Sequence, residues 1–139
     1  MLEFWNAMKK QRFEEEVNKI EDEIRRSKRF NYSFGVFVVD ISHATPKGIS
    51  ALMPGKTISF HLMRKHIRGY DKLFGPFFRR YYILLPQLDR NGVNAVKQRI
   101  YKLAEEHNWG GLSIGEAVYD EDGKSAQALL DAAISRLSS

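Results

Sequence analysis

The chain has 139 residues, with 22 Lys and Arg against 17 Asp and Glu, so its formal net charge is +5. This length suits one domain with one core, and a 43% hydrophobic and 28% charged composition excludes wholesale disorder. The absence of cysteine excludes disulfides, thiolate metal sites and a cysteine nucleophile, and is compatible with an intracellular location. The apolar runs are too short to span a bilayer, and we expect no signal peptide. The basic surplus leaves nucleic acid, an anionic membrane or a small phosphorylated ligand as partner classes.

The N-terminal segment, residues 1–29, is predicted to be a helix. Its apolar residues recur at helical spacing on one face. These residues are Phe13, Val17, Ile20 and Ile24. Basic residues gather at positions 25–29, which suits the C-terminal end of a helix dipole, and we interpret them as a solvated face.

A buried strand and a loop are predicted next. Residues 34–41 are almost continuously apolar, which is typical of a strand that is buried on both faces. Asp40 stands near the end of this strand, where sheets of α/β proteins collect their ligands. Two prolines and two glycines predict a loop over residues 42–55, and a helix is expected over about residues 56–68.

The second half of the chain predicts three strands and two helices, with turns at Gly75-Pro76 and Asp122-Gly123. In chain order these elements are a strand from Asp71, a strand over 79–85, a helix capped by Asp89, a strand over 112–119 and a helix capped by Ser125. The predicted buried stripes of the two helices are Val93, Val96, Ile100 and Leu103, and Leu129, Leu130, Ala133 and Leu137. Helices interleaved with strands and one short hairpin predict an α/β (α+β) sandwich over a mainly antiparallel sheet.

Four segments resemble the GGDEF (diguanylate cyclase) family, in the same order and across nearly the whole chain. RFEEEVNKIEDEIRRSKRF is similar to the opening helix of that family, and FGVFVVDIS to its first strand. DKLFGPFFRRYYILLP is similar to the strand, signature hairpin and next strand, and LSIGEAVYDEDGKSAQALLDAAISRL to the closing strand, hairpin and helix. The resemblance implies a nucleotidyl-cyclase architecture, a central sheet flanked by helices. It further implies that residues 1–139 form a single degenerate GGDEF domain of a larger signalling protein, cytoplasmic whether or not that protein is membrane-anchored.

The signature motif of the family is replaced in this chain. In active members, GTP lies on the signature turn and two carboxylates hold Mg²⁺, and Asp40 matches the carboxylate at the strand end. The register places the motif on Phe77-Phe78-Arg79-Arg80-Tyr81, where all five positions differ. Phenylalanines do not allow the close backbone approach that two glycines allow, and Arg79 stands in place of the second metal-binding carboxylate. The Asn and Asp that hold guanine are also missing from the loop after Asp40. We therefore expect neither Mg²⁺ binding nor diguanylate cyclase activity.

One ligand site of the family is retained. The inhibitory R-x-x-D motif, which binds cyclic di-GMP in the family, falls on Arg68-Gly69-Tyr70-Asp71. A guanidinium can pair with phosphate oxygens or the guanine edge, and a carboxylate can accept from guanine N–H groups. Arg99 matches a further contact of the family to this ligand. Arg68, Asp71 and Arg99 are thus the predicted cyclic di-GMP ligands, and the alternative is a surface ion pair at a helix end.

The leading hypothesis is a catalytically inactive GGDEF domain that acts as a cyclic di-GMP receptor in bacterial signal transduction, with exopolysaccharide or biofilm regulation as the implied output. The ligand is expected as a stacked dimer that bridges two protein surfaces. The alternative is a protein-interaction or dimerisation domain that binds no nucleotide. Other domains of the parent protein and signalling partners are expected contacts, and a homodimer stays open. Nucleic acid is less favoured, and residual GTP chemistry is the remaining alternative.

Overall fold

The structure, a computed structural model, describes residues 2–42, 45–46, 71–77, 79–106 and 109–137. The described helices are α1 (Leu2–Phe30), α2 (Arg90–Glu106) and α3 (Ala126–Ser135). The described strands are β1 (Gly35–Asp40), β2 (Thr45–Pro46), β3 (Lys72–Phe77), β4 (Arg80–Leu85), β5 (Trp109–Gly110) and β6 (Ser113–Val118). The helix expected over 56–68 and most of the loop expected over 42–55 lie outside the described residues. No helix in the described part of the chain is long and apolar enough to cross a membrane.

Four of the strands form one antiparallel sheet in the order β3-β4-β1-β6, and β2 and β5 form a separate short pair. The antiparallel sheet flanked by helices confirms the predicted fold class, and the long strands and helices lie within a few residues of their predicted bounds. The predicted turn at Gly75-Pro76 is wrong. β3 continues through both residues to Phe77, with a register irregularity between Phe74 and Phe77, and Gly75 takes a φ of 107°. Glycine tolerates this conformation, so the strand bends here instead of reversing.

The sheet has a hydrophobic cluster on each face. On one face, α1 and α3 cover β1 and β4 through Ile20, Ile24, Leu129 and Leu130, which agrees with the predicted stripes. On the other face, α2 contributes its own buried residues, which are Val93, Val96 and Ile100. The fourth residue predicted for this stripe, Leu103, is partly buried, and Ala104 is the buried residue of that turn. Side chains alternate between the two faces of a strand, so successive residues pack against helices on opposite faces of the sheet.

The outer strand β6 is closed against further strand pairing by side chains. Tyr101 Oη accepts from Ile114 N–H at 2.8 Å, and an Asp122 carboxylate oxygen accepts from Val118 N–H at 2.8 Å. Arg136 donates to the Glu116 carbonyl at 2.8 Å. Exposed strand edges invite pairing with other chains, so these bonds protect this edge of the described sheet.

Two predicted helix caps are confirmed. Asp89 Oδ1 accepts from Gly92 N–H at 2.9 Å, and Ser125 Oγ accepts from Ala128 N–H at 3.1 Å. Glu21 on α1 adds a bond that local sequence does not reveal, because it accepts from Ala126 N–H at 2.9 Å. The opening helix therefore satisfies an orphan donor at the start of the closing helix.

Candidate functional site

Asp40 and Arg80 form an ion pair where β1 ends and β4 begins. The two residues are direct cross-strand neighbours, and Arg80 Nε lies 3.0 Å from Asp40 Oδ2. The other carboxylate oxygen, Oδ1, accepts from Ser42 N–H at 2.8 Å. Burial alone raises the pKa of Asp40, but the bonds from Ser42 and Arg80 outweigh this effect and hold the pKa below its usual range. Asp40 is therefore ionised at neutral pH, with both oxygens engaged by the chain itself.

The turn that precedes β4 is attached to the end of β1 by the backbone. The Arg79 carbonyl accepts from Ile41 N–H at 2.8 Å, and Arg79 takes a φ of 62° with its side chain exposed. A positive φ is uncommon for a residue other than glycine and is typical of tight turns and special sites. The cation beside Asp40 is thus Arg80, one residue after the position that the register assigned to the missing metal ligand.

The described residues around Asp40 do not fit a divalent cation site. Mg²⁺ prefers several oxygen ligands in octahedral geometry, and Asp40 faces a guanidinium instead of a second carboxylate. Among the described residues, no group of three or more His, Asp or Glu side chains is placed to hold a metal ion.

Tyr82 on β4 links this ion pair electrostatically to Glu16 on α1, which the sequence did not predict. Tyr82 lies two residues after Arg80 on the same face of β4, and its side chain is under the influence of both Arg80 and Glu16. Burial is the largest cause that raises the pKa of Tyr82; Glu16 raises it further, while Arg80 lowers it. Tyr82 therefore interacts electrostatically with the Asp40–Arg80 pair and with Glu16 of α1.

Glu16 differs from these other polar residues because it is fully buried. Its side chain is 1% exposed, and neither carboxylate oxygen has a hydrogen-bond partner among the described residues. Burial raises the pKa of Glu16 to about 8. Sequence reasoning missed Glu16, although it stands one turn before the buried Ile20, and that helical spacing was the available signal.

A cleft of about 840 Å³ lies between α1, β3 and the end of β4. Its lining residues are Lys19, Glu23, Arg26, Tyr32, Asp71, Lys72, Leu73, Phe74, Pro86 and Gln87. Of the three predicted ligand residues, Asp71 lines the cleft and is 3% exposed. Arg99 lies on the exposed face of α2 and does not line the cleft. Arg68 lies outside the described residues.

The buried Glu23 carboxylate in the cleft bonds both Tyr32 and Arg26. Glu23 is 1% exposed, accepts from Tyr32 Oη at 2.9 Å and pairs with Arg26 at 3.1 Å. Burial and this bond to Glu23 raise the pKa of Tyr32 to about 12, so its hydroxyl stays protonated as a donor. The cations of Lys19, Arg26 and Lys72 outnumber the two carboxylates of the lining. Sequence reasoning did not assemble this cleft, because its residues are up to 68 positions apart.

No family model matches this chain, and no curated protein matches it. Solved structures match clearly. The GGDEF domain of FimX from Pseudomonas aeruginosa is 18% identical, with a TM-score of 0.70 over 88% of this chain and 83% of that one. The GGDEF domain of YfiN (or TpbB) from the same organism is 17% identical, with a TM-score of 0.68 over 86% and 82%.

A third similar structure is the GGDEF domain of DgcB from Caulobacter crescentus in complex with c-di-GMP. It is 13% identical, with a TM-score of 0.64 over 88% of this chain and 78% of that one. These similarities confirm that the chain has the fold of GGDEF domains.

Proposed function

We propose that this domain is a catalytically inactive, GGDEF-type receptor for cyclic di-GMP. The observation that carries the proposal is the cleft beside Asp71, whose lining combines three cationic side chains with two buried carboxylates. A volume of about 840 Å³ is within the usual range for small-ligand sites. A cyclic dinucleotide carries two phosphodiesters and two guanines, so it needs both cations and hydrogen-bond acceptors.

The lining supplies both kinds of group. Lys19, Arg26 and Lys72 offer positive charge to phosphate oxygens, and guanidinium–phosphate bonds are among the stronger charge-assisted hydrogen bonds. The Asp71 carboxylate can accept from the N–H groups of guanine. Arg68 and Arg99 remain the cyclic di-GMP contacts that the family resemblance implies, and Arg99, on α2, lies outside this cleft.

The inactive part of the proposal rests on the rebuilt signature hairpin. Phosphoryl transfer needs metal ions to bridge and neutralise the phosphates. Arg79 and Arg80 bring positive charge to this hairpin, and Asp40 is already paired with Arg80. We therefore expect no Mg²⁺-dependent turnover of GTP, which a sensitive assay for pyrophosphate release would measure.

Calorimetric titration with cyclic di-GMP tests the receptor function. The wild type should bind, and Arg68→Ala and Arg26→Ala should each weaken binding about 10-fold or more, as loss of a charge-assisted bond predicts. Arg25→Ala is the matched control, since Arg25 is also an exposed arginine of α1 but does not line the cleft. Absence of binding to the wild type refutes the proposal.

The alternative is a protein-interaction domain that binds no nucleotide. One observation favours it: Phe30, at the end of α1, is 63% exposed, and Arg29 stacks over its ring at 5.3 Å. An exposed aromatic side chain among basic residues suits an acidic protein partner. Self-association in sedimentation experiments that Phe30→Ser abolishes, together with no heat from cyclic di-GMP, supports this alternative.

A further inference from the structure

The Asp40–Arg80 pair lies where the family resemblance implies a metal ion, and the residues present do not fit one. We propose that the Arg80 guanidinium is a built-in cation that replaces the divalent ion at Asp40 and fastens the rebuilt hairpin to β1. The hairpin then keeps its position with no metal ion. This inference deepens the inactive part of the proposed function and does not depend on whether cyclic di-GMP binds.

Strand pairing brings the Arg80 guanidinium to the Asp40 carboxylate. Asp40 and Arg80 face each other directly in the β1–β4 register, so the strand pairing itself brings the two charges together. The guanidinium takes one carboxylate oxygen at 3.0 Å, and Ser42 N–H takes the other at 2.8 Å. A divalent ion at Asp40 has to share these oxygens with the two donors, and it meets the repulsion of the fixed positive charge.

The Asp40–Arg80 pair is partly buried. The side chains of Asp40 and Arg80 are 17% and 34% exposed, so water screens this pair less than the fully exposed pairs that contribute almost nothing. Tyr82 flanks the guanidinium on the same strand face and interacts with it. Arg80 is thus held by two neighbours, whereas the side chain of Arg79 is exposed in the turn. Removing Arg80 leaves a partly buried carboxylate without its counter-charge.

Thermal unfolding of the full chain, with EDTA or with millimolar MnCl₂ or MgCl₂, tests the inference. The wild-type Tm should be the same in all three buffers. Arg80→Glu places a second carboxylate opposite Asp40, so its Tm should fall by about 3 °C or more in EDTA and recover in Mn²⁺. The double variant Asp40→Asn/Arg80→Glu should show no recovery. Arg79→Glu is the matched control and should not respond to cations.

Two results overturn the inference. One is a rise of the wild-type Tm in Mn²⁺ that Asp40→Asn abolishes, because Asp40 then still binds a metal ion. The other is an Arg80→Glu variant that responds to cations no more than Arg79→Glu does. If Arg80→Glu does not fold, Arg80→Gln replaces it in a double-mutant cycle with Asp40→Asn. Additive Tm losses refute the pair, and a loss seen only when Asp40 is present supports it.

These outcomes are separate from those of the ligand titration. A domain that fails to bind cyclic di-GMP but shows the expected cation responses refutes only the receptor function. A domain that binds cyclic di-GMP and gains stability from Mn²⁺ through Asp40 refutes only the built-in cation.

Discussion

Replacing Glu16 with Gln should remove most of the pH dependence of stability between about pH 5 and pH 8. The Glu16 side chain of α1 is buried, and neither of its oxygens has a hydrogen-bond partner in the described part of the chain. Tyr82 on β4 interacts electrostatically with Glu16, and Arg80 and Asp40 in turn act on Tyr82. Burial therefore favours the neutral carboxyl, and glutamine has the same shape without an ionisable group.

The magnitude follows from the two pKa values of Glu16. The unfolded chain loses this proton near the ordinary value of 4.5, whereas the folded domain keeps it up to about 8. Between these values unfolding releases a proton, so the free energy of unfolding falls as the pH rises. At about 1.4 kcal/mol for each pH unit, the fall over this interval is at most about 5 kcal/mol. Below 4.5 and above about 8 this group adds no further slope.

Urea unfolding followed by far-UV circular dichroism at pH values from 5 to 8.5 measures the effect. At pH 5 the wild type and Glu16→Gln should be similarly stable, because the wild-type carboxyl is then neutral. At pH 8 the variant should be more stable by several kcal/mol, within the limit of about 5 kcal/mol given above. Glu15→Gln is the matched control, since Glu15 is exposed, and it should keep the wild-type slope.

A free energy of unfolding of the wild type that does not decline between pH 5 and pH 8 would show that the pKa of Glu16 is not raised in the folded domain. A Glu16→Gln variant that declines as steeply as the wild type would show that the slope belongs to another group.

Three further substitutions test packing and charge. Asp122 accepts from Arg136 and bonds Arg90, and these bonds hold its pKa far below the usual range. Asp122→Asn should therefore lower the free energy of unfolding by about 2–3 kcal/mol at pH 7, and the loss should shrink in acid as the wild-type carboxylate is protonated. Gly115→Ala places a Cβ 1.8 Å from the Ala133 carbonyl oxygen, so it should cost at least about 2 kcal/mol. Gly92→Ala, whose Cβ meets a flexible side chain, should cost much less; urea unfolding compares all three, and equal losses for the two glycine variants contradict the packing argument.

The fold was largely predictable from local patterns. The apolar run over residues 34–41 predicted a buried strand, and β1 is buried along nearly its whole length. The helical stripes of α1, α2 and α3 pack as their spacing predicted. Gly75-Pro76 was the exception, because the same two residues suit a reversing turn or a bend in a strand. Pairing with β4 selects the bend.

The candidate site was predictable only in part. The sequence indicated that Asp40 ends a strand and that the signature positions carry arginines. The strand register decided that Arg80, and not Arg79, meets Asp40. The cleft beside Asp71 joins α1 to β3, and neither segment by itself indicates the other. Arg68 and Arg99 stay predictions of cyclic di-GMP contacts.

The net charge of +5 also illustrates what the sequence determines and what the tertiary structure decides. The sequence by itself determined the long strands and helices of the described sheet, the arginines at positions 79 and 80 and the surplus of cations, because these depend on residue types and short spacings. Only the tertiary structure decided which charges meet. It paired one arginine with Asp40, gathered three cations around the cleft and buried Glu16 with no hydrogen-bond partner among the residues that the structure describes. The reason is physical: electrostatic interactions depend on distance and burial in the folded chain, and separation along the sequence determines neither.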